Sequence, residues 1–170
     1  GSTLLKDITS RPDIISPAYA LEALDHEIKM LLKQNDDEHD HTQDSVDLVI
    51  CEINLKTYFV RICSTRRAVF VVKDGELKLI KKENTDKQQY ETIDIQLSQG
   101  DMIYMFTDGY PDQFGGEKGK KIKTSNMRNM LEQIHTLPLD KQEMIVNRYF
   151  NRWQEGYDQV DDVLFMGMRL

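Results

Sequence analysis

The chain is poor in several features that would narrow its class at once. Its 170 residues include two cysteines, four prolines and one tryptophan, and no apolar run approaches the roughly 20 residues that span a bilayer. Cys51 and Cys63 make no disulfide framework. In apolar alternating segments they read as reduced core residues, although a hairpin bringing them together is left open, and the compartment reads as reducing. Basic residues are the minority, since 22 Lys and Arg against 29 Asp and Glu give a formal net charge of -7. Apart from the short stretch 118–123, nothing offers the continuous positive surface that nucleic acid or an anionic membrane requires. No basic-then-apolar leader is present, so the composition is that of a soluble, cytoplasmic domain, and the length suits one domain with a real core. No P-loop, Gly-x-Gly-x-x-Gly or Ser-His-Asp arrangement occurs, which leaves nucleotide-binding, Rossmann and serine hydrolase readings without support.

What is present alternates between helix and strand periods. Ser16-Pro17 is a helix start, a capping hydroxyl before proline at the first helical position, and Tyr19, Ala20, Ala23, Leu24, Ile28, Leu31 and Leu32 recur at helical spacing to about residue 33. Residues 3–9 are a fragment of apolar pattern cut short by Ser10-Arg11-Pro12. Residues 35–44 are polar and acidic and read as an exposed loop. Strands are expected at 46–53, 58–63 and 68–73, then at 77–80 after an Asp74-Gly75 hairpin turn, then at 93–97, which together suggest an antiparallel meander. A strand at 102–106 leads to Asp108, and residues 115–119 read as a flexible loop. Met127, Met130, Leu131 and Ile134 mark one helix; Ile145, Tyr149 and Trp153 mark another, opened by a capping box at 140–143. A last strand is expected at 163–168, with Phe165, Met166 and Met168 in the core. The order predicts an α+β fold with mainly antiparallel sheets.

Two acidic motifs stand at the ends of apolar strands, Thr107-Asp108-Gly109 after one and Asp161-Asp162 before another. An Asp-Gly pair alone is most often a turn. The adjacent Asp161 and Asp162 repel each other if both stay ionised near an apolar sheet, and a divalent cation would relieve that. Mg²⁺ and Mn²⁺ take carboxylate and water oxygens, and a bound water can serve as nucleophile. If the strands are neighbours, the carboxylates converge.

The run 100–116, with Gly119-Lys120-Lys121 after it and Gln159-Val160-Asp161-Asp162-Val163-Leu164 near the end, resembles the SpoIIE-like branch of the PPM-type metal-dependent serine/threonine protein phosphatases. The resemblance implies an αββα sandwich in which two Mn²⁺ or Mg²⁺ ions activate a water for attack on phosphoserine or phosphothreonine. It makes Asp108 and Asp161 metal ligands, with Gly109 permitting the turn and Asp162 tuning or orienting the site. It also implies a bacterial signalling protein with sensor or regulatory domains and a phosphorylated protein substrate, such as an anti-sigma-factor antagonist.

The departures from the family are specific. Its first metal half-site, an early Asp-Gly and an Asp-x-x-Gly-His-Gly motif, is not in this chain, so residues 1–170 are expected to be a partial domain lacking about the first third and to be inactive alone. Sheet edges left uncovered in such a fragment predict a homodimer or aggregation. Residues 64–68 replace a Gly-Ala-Asn-Asn-Pro loop and bring Arg66 and Arg67 toward the expected cleft, where they either bind phosphate bidentately or form a solvated turn. Residues 81–90 lack the usual Pro-Ile/Leu-Gly turn. His39 and His41 among acids read as a loop rather than a metal site. The rival reading is a degenerate phosphatase fold that senses or scaffolds without turnover.

Overall fold

A computed structural model describes residues 2–12, 15–33, 47–80 and 90–170. Along the chain it forms α1 (Ser2–Thr9), α2 (Pro17–Lys33), β1 (Val49–Asn54), β2 (Phe59–Ser64), β3 (Val69–Lys73), β4 (Glu76–Ile80), β5 (Ile93–Gln96) and β6 (Met102–Phe106). There follow α3 (Gly109–Asp112), β7 (Phe114–Gly115), β8 (Lys120–Lys121), α4 (Thr124–Ile134), α5 (Leu139–Gln154) and β9 (Phe165–Arg169). The α+β class and the antiparallel pairing expected from the sequence both hold. The acidic loop with His39 and His41, and most of the 81–90 stretch, lie outside the described residues.

The chain divides into two compact units, residues 1–66 with 82–96 and residues 67–81 with 97–170. In the first, α2 begins as its sequence dictates: Ser16 caps it by accepting a hydrogen bond from the Tyr19 N–H at 3.4 Å, and Pro17 is its first residue. Ala20 and Leu24 pack with Ile8 of α1 against Leu48 and Ile50. Tyr19 departs from the expected stripe and is 52% exposed. Strands β1, β2 and β5 form one antiparallel sheet in that order. Its register pairs Ile50 with Cys63 and Cys51 with Ile62. Cross-strand partners share a face and successive residues alternate, so the two cysteines lie on opposite faces and cannot bridge.

The second unit holds a four-stranded antiparallel sheet in the order β4-β3-β6-β9. The expected meander is therefore wrong in one respect: β2 and β3 are consecutive but sit in different sheets, and β5 returns to β2 instead of extending from β4. Val69, Phe70, Val71 and Val72 are all buried, the unalternating pattern of a central strand covered on both faces. The β3–β4 hairpin turns at Asp74-Gly75, both with positive φ (54° and 80°), as a tight two-residue turn requires.

Helices α4 and α5 supply the rest of this core. Met127, Met130, Leu131 and Ile134 are buried as the helical spacing predicted. On α5 the buried line is Gln142, Val146 and Phe150, with Ile145, Tyr149 and Trp153 on its flank. The 140–143 capping box does not form, because Pro138 is the cap residue and Asp140 falls inside the first turn; Gln142, between the two acids, is buried. Its amide donates to the carbonyls of His135 (3.0 Å) and Leu137 (2.8 Å), and its oxygen accepts from the Tyr104 hydroxyl at 2.7 Å. Residues 115–119 belong to a β7–β8 hairpin rather than a flexible loop. A Cβ on Gly115 would lie 1.7 Å from the Trp153 carbonyl oxygen, so only glycine lets the hairpin seat on α5. The Trp153 indole N–H donates to the Lys120 carbonyl at 2.9 Å and closes the other side. In β9, Phe165 packs on the core, but Met166 faces outward and is 43% exposed, because β9 is the edge strand and its alternate residues face away from the helices.

Candidate functional site

The two acidic motifs meet because β6 and β9 pair antiparallel, with Phe106 opposite Phe165. Just beyond that pair the Thr107 N–H donates to the Leu164 carbonyl at 3.0 Å. The Thr107 hydroxyl donates to the Asp162 carbonyl at 2.8 Å and accepts from the Leu164 N–H at 2.9 Å. One side chain thus stitches the end of β6 to the approach to β9. Gly109 completes the junction, since a Cβ there would lie 2.4 Å from the Asp162 carbonyl oxygen. Gly109 is not among the residues with positive φ. The glycine is needed for close approach of two backbones, not for the turn that the sequence suggested.

Below this corner Tyr110 is buried and anchors α3. Its hydroxyl donates to the Val146 carbonyl at 2.9 Å, and its ring packs against Phe150 and Phe165 with centroids 5.1 and 5.3 Å away. Burial pushes the phenol's pKa well up, so it stays protonated. Asp112, at the far end of α3, accepts from the Lys121 ammonium at 2.9 Å.

Asp108 stands at the start of α3 in helical backbone conformation and its side chain makes no capping hydrogen bond. Its carboxylate is held instead by Arg67, with Nη1 2.5 Å from Oδ2. Strands β3 and β6 pair with Val69 opposite Met105, and that register continued two residues sets Arg67 opposite Thr107, beside Asp108. The hydrogen bond from Arg67 holds the Asp108 carboxyl below the ordinary value of 3.8, against an opposing effect of partial burial. Arg66 belongs to the other compact unit, where its Nε lies 3.7 Å from Asp47 Oδ1.

Asp161 and Asp162 are both exposed, which removes the cost of like charges near an apolar sheet that their adjacency suggested, because water screens them. Asp161 Oδ1 accepts from the Asp162 N–H at 2.7 Å, and the Gln159 amide donates to the Asp161 carbonyl at 2.8 Å. Asp162 enters the junction through its backbone carbonyl.

This donor set does not fit a divalent ion as it stands. Asp108 is spent on a guanidinium, Asp161 is partly spent on a backbone N–H, and among the described residues no group of three His, Cys, Asp or Glu side chains is placed to hold a metal. Thr107 and the Arg67–Asp108 pair were not read from the sequence as parts of the junction. The β3–β6 register is the signal that would have revealed the pair.

No curated protein matches the chain in sequence. Among solved structures it is similar to the SiaA-PP2C domain of Pseudomonas aeruginosa, with 20% identity over 99% of this chain and 66% of that one and a TM-score of 0.84. It is similar to the PP2C phosphatase domain with a fragment of the regulatory domain of SpoIIE from Bacillus subtilis, with 17% identity over 99% of this chain and 48% of that one and a TM-score of 0.72. It is also similar to the catalytic domain of the serine/threonine protein phosphatase PstP, known from Mycobacterium tuberculosis, in complex with two manganese ions. That match has 12% identity over 98% of this chain and 78% of that one and a TM-score of 0.59. The chain therefore has the PP2C-type fold and spans 66% and 48% of the first two relatives. The family model for stage II sporulation protein E matches residues 3–170, so the chain belongs to the SpoIIE family.

Proposed function

We propose that this chain is part of a phosphoprotein phosphatase domain that, in the whole protein, hydrolyses phosphoserine or phosphothreonine with Mn²⁺ or Mg²⁺. The observation that carries the reading is the acidic corner, where Thr107 and Gly109 fix the Asp108 turn against the segment of Asp161 and Asp162. In this reading Asp108 and Asp161 are one half of the metal site, and the remaining donors come from the part of the relatives' length that this chain does not span. When bound, the ions would supply an activated water and neutralise phosphate charge. The chain's own part is to orient two carboxylates, one fixed at the end of a central strand and one beside an edge strand. The substrate is a phosphorylated protein of a bacterial cytoplasmic signalling system, such as an anti-sigma-factor antagonist, with sensor or regulatory domains elsewhere in the protein. The test is phosphate release from a phosphoserine protein by the full-length protein with Mn²⁺ and with EDTA. Metal-dependent release supports the reading; none in either condition contradicts it.

A second reading has its own support. The Arg67–Asp108 pair, which occupies the carboxylate, favours a phosphatase fold used for sensing or scaffolding without turnover. Specific binding of a partner protein by a full-length protein that releases no phosphate would establish it.

A further inference from the structure

We infer that the β7–β8 hairpin and the residues leading from it into α4 form a docking surface for an acidic segment of a partner protein. Residues 118–123 include Lys118, Lys120, Lys121 and Lys123, all exposed, in a chain whose formal net charge is -7. Asp112 neutralises Lys121 at 2.9 Å. Among the described residues the ammonium groups of Lys118, Lys120 and Lys123 make neither a hydrogen bond nor an ion pair. Like charges are thus crowded together at a mutual cost that no side-chain partner offsets among the described residues.

A charge run is usually a solvated face, but here two local preferences are broken to place it. Lys123 has φ 71° and ψ 145°, a backbone region that glycine enters freely and other residues enter only under strain. Its N–H donates to the Pro111 carbonyl at 2.7 Å, and its carbonyl accepts from the N–H groups of Asn126 and Met127 at 3.1 and 3.3 Å. Lys123 is also the N-cap of α4, where its side chain caps nothing and the first turn of the helix holds no acid. A cation at that end opposes the helix dipole. Glycine would suit the backbone and the dipole better, so what lysine adds at this position is its ammonium group. Breaches of local preference of this kind gather at functional surfaces.

The frame under the lysines is stiff. Gly115 seats against the Trp153 backbone, the Gly116 N–H donates to the Trp153 carbonyl at 2.9 Å, and the Trp153 indole N–H donates to the Lys120 carbonyl at 2.9 Å. Phe114 lies opposite Lys121 in the hairpin, with the ammonium 5.7 Å from its ring centroid, and stays 40% exposed. An exposed ring among lysines offers an acidic segment apolar contact as well as charge. Asp112 and Glu117 interrupt the positive surface, which suits the spaced carboxylates of a protein segment and not the continuous charge of a nucleic acid. At physiological salt the attraction acts over about 8 Å, so acids farther away are screened. Docking here does not depend on turnover at the acidic corner and is compatible with either reading of the function.

The test is fluorescence anisotropy of a fluorescein-labelled Glu-Glu-Leu repeat peptide with the full-length protein, beside the same peptide with glutamine for glutamate and a single-stranded DNA oligonucleotide. The glutamate peptide is expected to bind and the glutamine peptide is not, and raising salt from about 0.05 M to about 0.5 M should abolish the binding. Lys118→Gln, Lys120→Gln and Lys123→Gln combined should weaken it about tenfold, the scale of three exposed charge pairs. Lys118→Gln and Lys120→Gln singly serve if the combined variant folds poorly. Lys123→Gly should raise the urea unfolding midpoint while weakening peptide binding, the trade expected where strain is kept for the ammonium group. Absence of glutamate-peptide binding, equal binding of the glutamine peptide, or lysine variants that bind as the natural protein does would overturn the inference. DNA bound more tightly than the glutamate peptide, with the same loss in the lysine variants, would overturn it in favour of a nucleic-acid surface.

Discussion

The Thr107 hydroxyl lies 2.8 Å from the Asp162 carbonyl oxygen and 2.9 Å from the Leu164 nitrogen, across 55 residues of sequence or more. That single side chain joins the two acidic motifs. Thr107→Val removes both hydrogen bonds at nearly constant shape and should destabilise the protein by about 1–2 kcal/mol. Thr107→Ser should recover most of the loss. Urea unfolding midpoints measure both.

Gly109→Ala adds a methyl group where the Asp162 backbone already stands, 2.4 Å from the new carbon. Neither backbone can yield cheaply, so a destabilisation of about 3 kcal/mol, the upper range for overpacking, is expected from chemical denaturation. A Gly109→Ala protein as stable as the natural one would show that the close approach is not required.

The ion pair with Arg67 depresses the Asp108 pKa. A depressed carboxyl contributes stability that is fully present above its unfolded value, near 3.8, and is lost as pH falls through the lower folded value. The carboxyl carbon of Asp108, followed by NMR, should therefore titrate below 3.8 in the natural chain and shift upward in Arg67→Gln. An unchanged titration midpoint would show that Arg67 does not hold the carboxylate in solution.

Cys51 and Cys63 lie on opposite faces of their sheet, and burial pushes the Cys51 thiol up to about 11. Mild oxidation of the folded protein should leave both thiols free by mass spectrometry, and Cys51 should react slowly with a thiol reagent at neutral pH. An intramolecular disulfide formed without unfolding would contradict the register.

Much of this was legible where the deciding interaction is local. The spacing of Met127, Met130, Leu131 and Ile134 gave a buried helix face, Asp74-Gly75 gave a hairpin, and the position of Asp108 at a strand end gave half of the acidic corner. What was not legible depends on pairing distant in sequence. The split of β2 and β3 between two sheets follows from β5 returning to β2, which no local pattern announces. Asp140 and Glu143 looked like the two members of a capping box because their spacing fitted, but the helix starts earlier, at Pro138, and places Asp140 inside its first turn. Arg67 carried no sign of its partner until β3 and β6 were known to be neighbours. Met166 looked like core because methionine is apolar, while its place on an edge strand turned it outward.

The most direct measurement is phosphate release from a phosphoserine protein by the full-length protein with Mn²⁺, compared with its Asp108→Asn and Asp161→Asn variants. Metal-dependent turnover is expected to fall by orders of magnitude in both variants while their unfolding midpoints stay close to that of the natural protein. Turnover unchanged in either variant would contradict the assignment of that aspartate to the site.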